Sequence, residues 1–186
     1  AWPTIVENTG LMLLFGGIAP KNSQLSKHGV IVHETQNWLR KARDAGMSFV
    51  QGSPIKDDMA GDLSAEWLAA RPGSDVAIML GLAHTLLVEE LHDPDFLARY
   101  CVGFEKFSAY LLGDTDGVAK DADWAAALSE LDADNLRQLA RRMAAGRTMI
   151  SVSYSVQRGD HGEQPCWAAI ALAAMLGQIG LPGGGF

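Results

Sequence analysis

The sequence predicts an α/β protein in which helices cover both faces of a Rossmann-like parallel sheet, giving a three-layer α/β/α arrangement. Two features lead to this prediction. Short apolar runs, typical of buried parallel strands, alternate with longer segments of helical periodicity. Each apolar run also ends in a loop with glycine and polar residues, as expected where parallel strands present a ligand-binding edge. Residues 1–186 are predicted to form a single domain.

The predicted strands are short and mostly apolar. The first is a continuous apolar run, which is typical of a strand buried on both faces. The second ends at the turn-forming Ser53 and Pro54. The four predicted strands are Leu11–Phe15, 47–51, 66–70 and Thr148–Val152.

Helical periodicity and end signals predict seven helices. Gly46 and Gly146 are expected to follow helix C-termini, and Ser74 is expected to act as an N-cap. Pro165 suits the first turn of the last helix. The predicted helices are 34–45, 75–90, Pro94–Tyr100, Phe104–Leu112, 123–131, 134–145 and 163–176.

Composition and charge exclude several classes of function. The net charge is −7 with acidic and basic residues interspersed, so nucleic acid is not an expected partner. Membrane insertion is not expected either, because the apolar run at residues 168–181 is too short to span a bilayer. Cys101 and Cys166 lack metal-ligand spacing and are expected to pack as small buried side chains.

The loop after the first strand contains groups that suit a pyrophosphate. Glycines allow close approach of the backbone, Lys21 supplies positive charge, and Asn22 and Ser23 supply polar groups. From the residues alone, an ordinary surface turn remains the more common interpretation of such a loop. The loop is not G-x-G-x-x-G, which argues against an NAD-binding turn.

The next two loops carry weaker signals. Gly52 and Ser53 follow the second strand, where Rossmann folds often place an acid on ribose hydroxyls. Ser53 could instead simply begin the turn. Gly73, Ser74 and Asp75 precede a long helix, and Asp75 has the alternative role of stabilising the helix N-terminus.

The loop after the fourth strand gives the strongest indication of a ligand. Tyr154 offers a flat aromatic face, Ser155 a hydroxyl, and Arg158 a fork of donors suited to phosphate. The loop leads into a helix N-terminus, whose free N–H groups and dipole favour anions.

Two common catalytic patterns are missing from the sequence. His161 and Glu163 do not form HExxH, and His28 and His33 lack the spacing of a closed metal site. The serines at the end of the fourth strand do not lie in a G-x-S-x-G elbow. We therefore assign no catalytic and no metal-binding residue to this chain.

Several motifs give the chain a resemblance to a known family. The most specific are HGEQ at residues 161–164 and GQIGLPGGG at 177–185, and RPGSDVA at 71–77 and YLLGDTDG at 110–117 agree with them. Together these segments closely resemble the molybdopterin oxidoreductases of the dimethyl sulfoxide reductase family, particularly its trimethylamine N-oxide and biotin sulfoxide reductases. The resemblance covers essentially the whole chain.

The resemblance implies a role for each of the loops. In that family, these positions contact a molybdopterin guanine dinucleotide, and the position of Asp75 reads guanine N–H groups. The family usually carries aspartate where Ser53 stands and tryptophan where Tyr154 stands. Ser53→Asp is accordingly expected to tighten cofactor retention. The implied cofactor-binding residues are Lys21, Asn22, Ser23, Gly52, Ser53, Gly73, Ser74, Asp75, Tyr154, Ser155 and Arg158.

The resemblance also implies that this chain is one part of a larger enzyme. It predicts a domain excised from a multidomain reductase of S-oxides or N-oxides that carries molybdenum bis(molybdopterin guanine dinucleotide). The molybdenum ligand and much of the second nucleotide site would lie outside this chain. The expected partners are the remaining domains of the polypeptide and a small S-oxide or N-oxide. The isolated chain is expected to bind no cofactor and to be inactive.

Two other interpretations remain open at this point. One is a stand-alone nucleotide-binding module without redox activity. The other is an NAD-dependent dehydrogenase domain, which the missing glycine fingerprint disfavours.

Overall fold

A computed structural model describes residues 1–24 and 32–186, so that His28 lies outside the described residues. The predicted parallel sheet is confirmed. It has four strands, all parallel, in the order β3-β2-β1-β4. The strands are β1 (Leu11–Phe15), β2 (Ser48–Gly52), β3 (Glu66–Leu68) and β4 (Thr148–Val152).

Helices cover both faces of this sheet, as predicted. One layer contains the first two helices of the chain, and the other contains the remaining six. The α-helices within the described residues are α1 (Trp2–Asn8), α2 (Thr35–Asp44), α3 (Asp75–Val88), α4 (Pro94–Tyr100), α5 (Phe104–Leu112), α6 (Ala122–Ser129), α7 (Ala133–Ala145) and α8 (Glu163–Met175).

The central strand β1 divides the interior into two cores. Successive side chains of a strand point to opposite faces, and both faces of β1 are covered. Leu13 belongs to the larger core under α3 and α8, whereas Leu14 belongs to the smaller core under α2. Both side chains are fully buried, which explains why the strand is apolar without alternation.

Element boundaries differ from the predictions by one or two residues. Three further differences concern an additional helix and the capping of helix N-termini. Helix α1 was not predicted, because seven residues beginning with Trp2 and Pro3 carry too short a pattern. Ser74 precedes α3, but its hydroxyl donates to the carbonyl oxygen of Arg71 (2.6 Å) and makes no cap. Three unpredicted aspartate caps hold later helices: Asp93, Asp121 and Asp132.

The two cysteines are free, and both are half-buried instead of fully buried. Cys101 packs against the edge of the larger core, as expected of a small apolar side chain. Among the described residues, no helix is both long enough and apolar enough to cross a membrane.

The strand order reverses between β1 and β4. From β1 the chain proceeds outward to β2 and β3, then returns to form β4 on the other side of β1. Connections therefore leave β1 and β4 in opposite directions, which defines a topological switch point, where open α/β sheets bind ligands.

Candidate functional site

Two glycines after β1 bring neighbouring loops close together. Gly16 and Gly17 both have positive φ (84° and 66°), a conformation that side-chain-bearing residues rarely adopt. A Cβ atom at Gly16 would collide with the hydroxyl of Ser153, and one at Gly17 would collide with the backbone of Asp58. The loops after β2 and β4 therefore both close against the loop after β1.

The cationic part of the loop after β1 faces solvent. Lys21 and Asn22 are exposed and lie in the 3₁₀ turn Pro20–Asn22. Ser23 is buried, where its hydroxyl donates to the carbonyl oxygen of Pro20 (2.9 Å) and accepts from Nε2 of Gln36 (2.8 Å). Ser23 thus braces the turn that presents Lys21 and Asn22.

Buried polar side chains fix the loop after β2. Ser53 is only 1% exposed, and its Oγ donates to Oδ2 of Asp58 (2.7 Å) while it accepts from the backbone N–H of Ile55 (3.2 Å). Gln51 donates from Nε2 to the carbonyl oxygen of Ile55 (2.8 Å). Trp67 on β3 donates from its indole N–H to the carbonyl oxygen of Ser53 (2.8 Å). This loop is therefore rigidly attached to the sheet.

Asp75 begins α3 and is half-buried. Burial raises the pKa of its carboxyl above the usual value, and a hydrogen bond from its own backbone N–H only partly opposes that shift. Gly73, two residues before Asp75, has a φ of 80°, a backbone conformation that favours glycine. The structure therefore holds a desolvated carboxylate at a helix N-terminus, where it is ready to accept hydrogen bonds.

The loop after β4 displays its ligand candidates to solvent. Tyr154 is 85% exposed, and Ser155 and Arg158 are also exposed. Ser153 and Ser155 are hydrogen-bonded through their hydroxyls. Arg158 ends the 3₁₀ turn Val156–Arg158, which packs against the start of α8. Arg158 is thus an exposed residue of a turn that packs against α8.

Together these loops form a row along the carboxyl edge of the sheet. Because neighbouring strands lie about 4.8 Å apart, the four loops leave the sheet over roughly 14 Å. Their order follows the strand order, so the loop that leads to Asp75 leaves at one end and the loop carrying Arg158 leaves at the other. The loops with Ser53 and Lys21 leave between them. The predicted site residues therefore all belong to one edge.

The loops along this row carry charges of both signs, since Lys56 and Arg71 follow β2 and β3, and Asp160 follows β4. Among the predicted site residues, the cations Lys21 and Arg158 follow the neighbouring strands β1 and β4, and the carboxylate Asp75 follows β3. In the described ranges 1–24 and 32–186, neither of these cations forms an ion pair. Lys21 and Arg158 can therefore bind an anion, and Asp75 can accept hydrogen bonds from a ligand.

The sequence did not single out Gln51 and Asp58, whose side chains form hydrogen bonds within the loop after β2. The detectable signal was an acidic residue five positions after Ser53 in a strand-end loop. Gln51 carried no such signal, because a lone glutamine in a buried strand has many structural explanations.

The part of the chain that the structure describes contains no group of three His, Cys, Asp or Glu residues able to hold a metal ion. An apolar cavity of about 380 Å³ lies between α4, α5 and α8, lined by Phe104, Phe107 and Trp167 among others. Its lining carries no charged side chain, so the strand edge is the better candidate site for a charged ligand.

A parallel sheet covered by helices on both faces, with polar loops at its carboxyl edge, defines the class of α/β proteins that bind ligands at that edge. A family model described as "Molybdopterin oxidoreductase" matches residues 2–186. The chain therefore belongs to the molybdopterin oxidoreductase family, and the family resemblance drawn from its motifs is confirmed. Membership implies a molybdenum–molybdopterin cofactor.

Curated relatives narrow the relationship further. The chain is 43% identical to dimethyl sulfoxide/trimethylamine N-oxide reductase of Cereibacter sphaeroides over 188 residues, which cover all of this chain and 22% of that protein. It is 43% identical to biotin sulfoxide reductase of the same organism, over 98% of this chain and 24% of the relative. Trimethylamine-N-oxide reductase 1 of Escherichia coli K12 is 44% identical, with 100% and 23% covered. The chain thus spans about a quarter of the length of homologous S-oxide and N-oxide reductases.

A solved structure agrees with the fold. Acetylene hydratase from Pelobacter acetylenicus superposes with a TM-score of 0.77 over 97% of this chain and 23% of that protein. The sequence identity is 23%, so this likeness concerns the fold alone. With the family established, the NAD-dependent dehydrogenase interpretation is wrong.

Proposed function

We propose that this chain binds one guanine-nucleotide end of a molybdopterin guanine dinucleotide, as a domain of a reductase of S-oxides or N-oxides. The observation that carries the proposal is the order of chemistry along the strand edge. Among the side chains assigned to the ligand, the cations Lys21 and Arg158 follow β1 and β4, and the carboxylate Asp75 follows β3. A dinucleotide presents its groups in the matching order, from pyrophosphate through ribose to base.

The β1–β4 end fits the pyrophosphate. Gly16 and Gly17 allow the loops after β4 and β2 to pack against the loop after β1, which brings the three loops together at this end. Lys21 and Arg158 supply two exposed positive charges, and the N-terminus of α8 follows Arg158 along the chain. Arginine binds phosphate through a planar fork of donors, while lysine contributes a point charge.

The β2–β3 end fits guanosine. Guanine carries adjacent N–H donors on its Watson–Crick edge, and a carboxylate accepts two such donors through its two oxygens. Asp75 meets this need because its carboxylate is half-buried at the start of α3. Tyr154 at the other end offers an exposed aromatic face to the neighbouring parts of the cofactor.

In the complete protein, the bound cofactor would supply molybdenum-centred oxygen-atom transfer, and the residues of this chain would anchor and orient it. No residue here is assigned a catalytic role. The other domains of the same polypeptide would supply the molybdenum ligand and the second nucleotide site. The isolated 186-residue chain is accordingly expected to show no reductase turnover with a chemical electron donor.

The proposal is tested by measuring guanine nucleotide in the purified full-length protein. Asp75→Asn should lower the GMP released per polypeptide by acid hydrolysis after dialysis, because an amide cannot accept both guanine donors. Asp95→Asn is the matched control, since Asp95 is an exposed aspartate in the first turn of α4. Equal GMP content in the two variants would contradict the proposed contact with guanine.

A further inference from the structure

We infer that Asp58, held in place by Ser53, supplies the carboxylate that binds the ribose hydroxyls of the nucleotide. This inference rests on the proposed function and assigns the ribose contact to a residue that strand-end position alone does not indicate. Ser53 is a positioning residue in this arrangement.

The hydroxyl of Ser53 is already engaged. A serine hydroxyl has one proton to donate, and Ser53 donates it to Oδ2 of Asp58. The backbone N–H of Ile55 donates to Oγ of Ser53 and takes up part of its acceptor capacity. Because Ser53 is also almost completely buried, its side chain offers little to a ribose.

The carboxylate of Asp58 lies at the edge where an acid is expected. Its backbone packs directly on Gly17, so Asp58 lies beside the loop that follows β1. Rossmann folds place a ribose-binding acid at the end of the second strand, next to the phosphate-binding loop. Here the loop after β2 turns back through the 3₁₀ turn Lys56–Asp58 and brings an acid to that region.

The loop is built to keep Asp58 in one position. The buried side chains of Gln51 and Ser53 donate hydrogen bonds to the carbonyl oxygen of Ile55 and to the carboxylate of Asp58. The indole N–H of Trp67 donates to the carbonyl oxygen of Ser53. Asp58 remains half-buried, and among the described residues its Oδ1 accepts no hydrogen bond. One carboxylate oxygen is thus used for orientation, and the other is free to accept from a hydroxyl.

A carboxylate is a better partner for ribose than a serine hydroxyl. Hydrogen bonds to an ionised acceptor are shorter and stronger than neutral ones. The loop with Asp58 lies next to the loop after β1 that would hold the pyrophosphate. Because the ribose of a nucleotide is joined directly to its phosphate, a ribose-binding acid is expected beside that loop.

The test compares two ligands on the full-length protein prepared without cofactor. Binding of GDP and of 2′,3′-dideoxy-GDP, which lacks both ribose hydroxyls, is measured by calorimetry for the unsubstituted protein and for Asp58→Asn, Ser53→Ala and Asp57→Asn. Asp57 is an exposed neighbour in the same turn, so Asp57→Asn is the matched control. The ratio of the two dissociation constants reports the ribose contact and cancels any general loss of folded protein.

We expect the unsubstituted protein and Asp57→Asn to prefer GDP by about tenfold, the effect of one charge-assisted hydrogen bond. Asp58→Asn should reduce the preference to within about twofold, and Ser53→Ala should give an intermediate ratio. A preserved preference in Asp58→Asn would overturn this inference and leave the proposed function standing. Failure of the unsubstituted protein to bind either ligand would overturn both.

Discussion

Gly16 and Ser153 lie so close that no side chain at position 16 fits beside the serine hydroxyl. The contact joins the ends of β1 and β4, where the backbone N–H of Ser153 donates to the carbonyl oxygen of Phe15 (2.9 Å). After these parallel strands, the chain continues to α2 on one face of the sheet and to α8 on the other. The proposed pyrophosphate site is therefore formed where the topology of the sheet reverses.

Gly16→Ala should destabilise the chain, because alanine must adopt a positive φ and must also displace the loop after β4. We expect a loss of about 2 kcal/mol or more in the free energy of unfolding, measured by urea denaturation. Gly159→Ala serves as the control, since Gly159 has negative φ and open space around it. Equal stability of the two variants would show that the loops do not meet as described.

Arg158→Ala in the full-length protein should weaken cofactor binding without unfolding the domain. Loss of a charged hydrogen bond costs about 1.5–3 kcal/mol, which corresponds to at least about tenfold in affinity. Pterin fluorescence after dialysis measures the retained cofactor. The control is Arg142→Ala, which removes an exposed ion pair between Arg142 on α7 and Glu66 on β3 and should leave cofactor retention unchanged. Unchanged cofactor retention in Arg158→Ala would show that Arg158 does not contact the cofactor and is an ordinary residue of a surface loop.

Asp75→Asn should stabilise the cofactor-free protein at neutral pH. Burial raises the pKa of the Asp75 carboxyl, so the folded state binds its proton more tightly than the unfolded state does. The cost of ionisation is therefore complete above the raised pKa and absent below the ordinary value of 3.8. We expect a gain on the order of 0.5 kcal/mol at pH 7 that fades in acid, measured by denaturation at several pH values. A gain that grows as the pH falls would contradict this assignment.

Ser53→Asp should weaken cofactor retention, in contrast to the expectation from the sequence alone. The hydroxyl of Ser53 lies 2.7 Å from Oδ2 of Asp58 in a buried position, so an added carboxylate would face an existing one. Like charges at this distance repel strongly when water is excluded. Ser53→Asn is the neutral control of similar size and should retain more cofactor. Tighter retention by the aspartate variant would contradict the described contact.

Much of the fold was predictable because the relevant signals are local. The apolar run of β1 follows directly from its burial on both faces, and Gly46, with a φ of 95°, ends α2 as expected of a left-handed residue. The loops that form the site were also predictable, since polar loops after parallel strands collect at one edge.

The remaining features depend on contacts between distant segments. The hydroxyl of Ser74 bonds to Arg71 instead of capping α3, a choice that local sequence does not decide. The pairing of Ser53 with Asp58 depends on how the loop folds back on Gly17. Sequence patterns therefore predicted the loops of the candidate site, whereas the hydrogen bonding within those loops required the three-dimensional structure.

The central claim is that this domain holds a guanine dinucleotide form of the molybdenum cofactor. The most direct measurement is the molybdenum and nucleotide content of the purified full-length protein, by elemental analysis and by chromatography after acid hydrolysis. The account predicts about two GMP per molybdenum, as required by a bis(molybdopterin guanine dinucleotide) cofactor. Molybdenum present without GMP, or with a different nucleotide in its place, would contradict it.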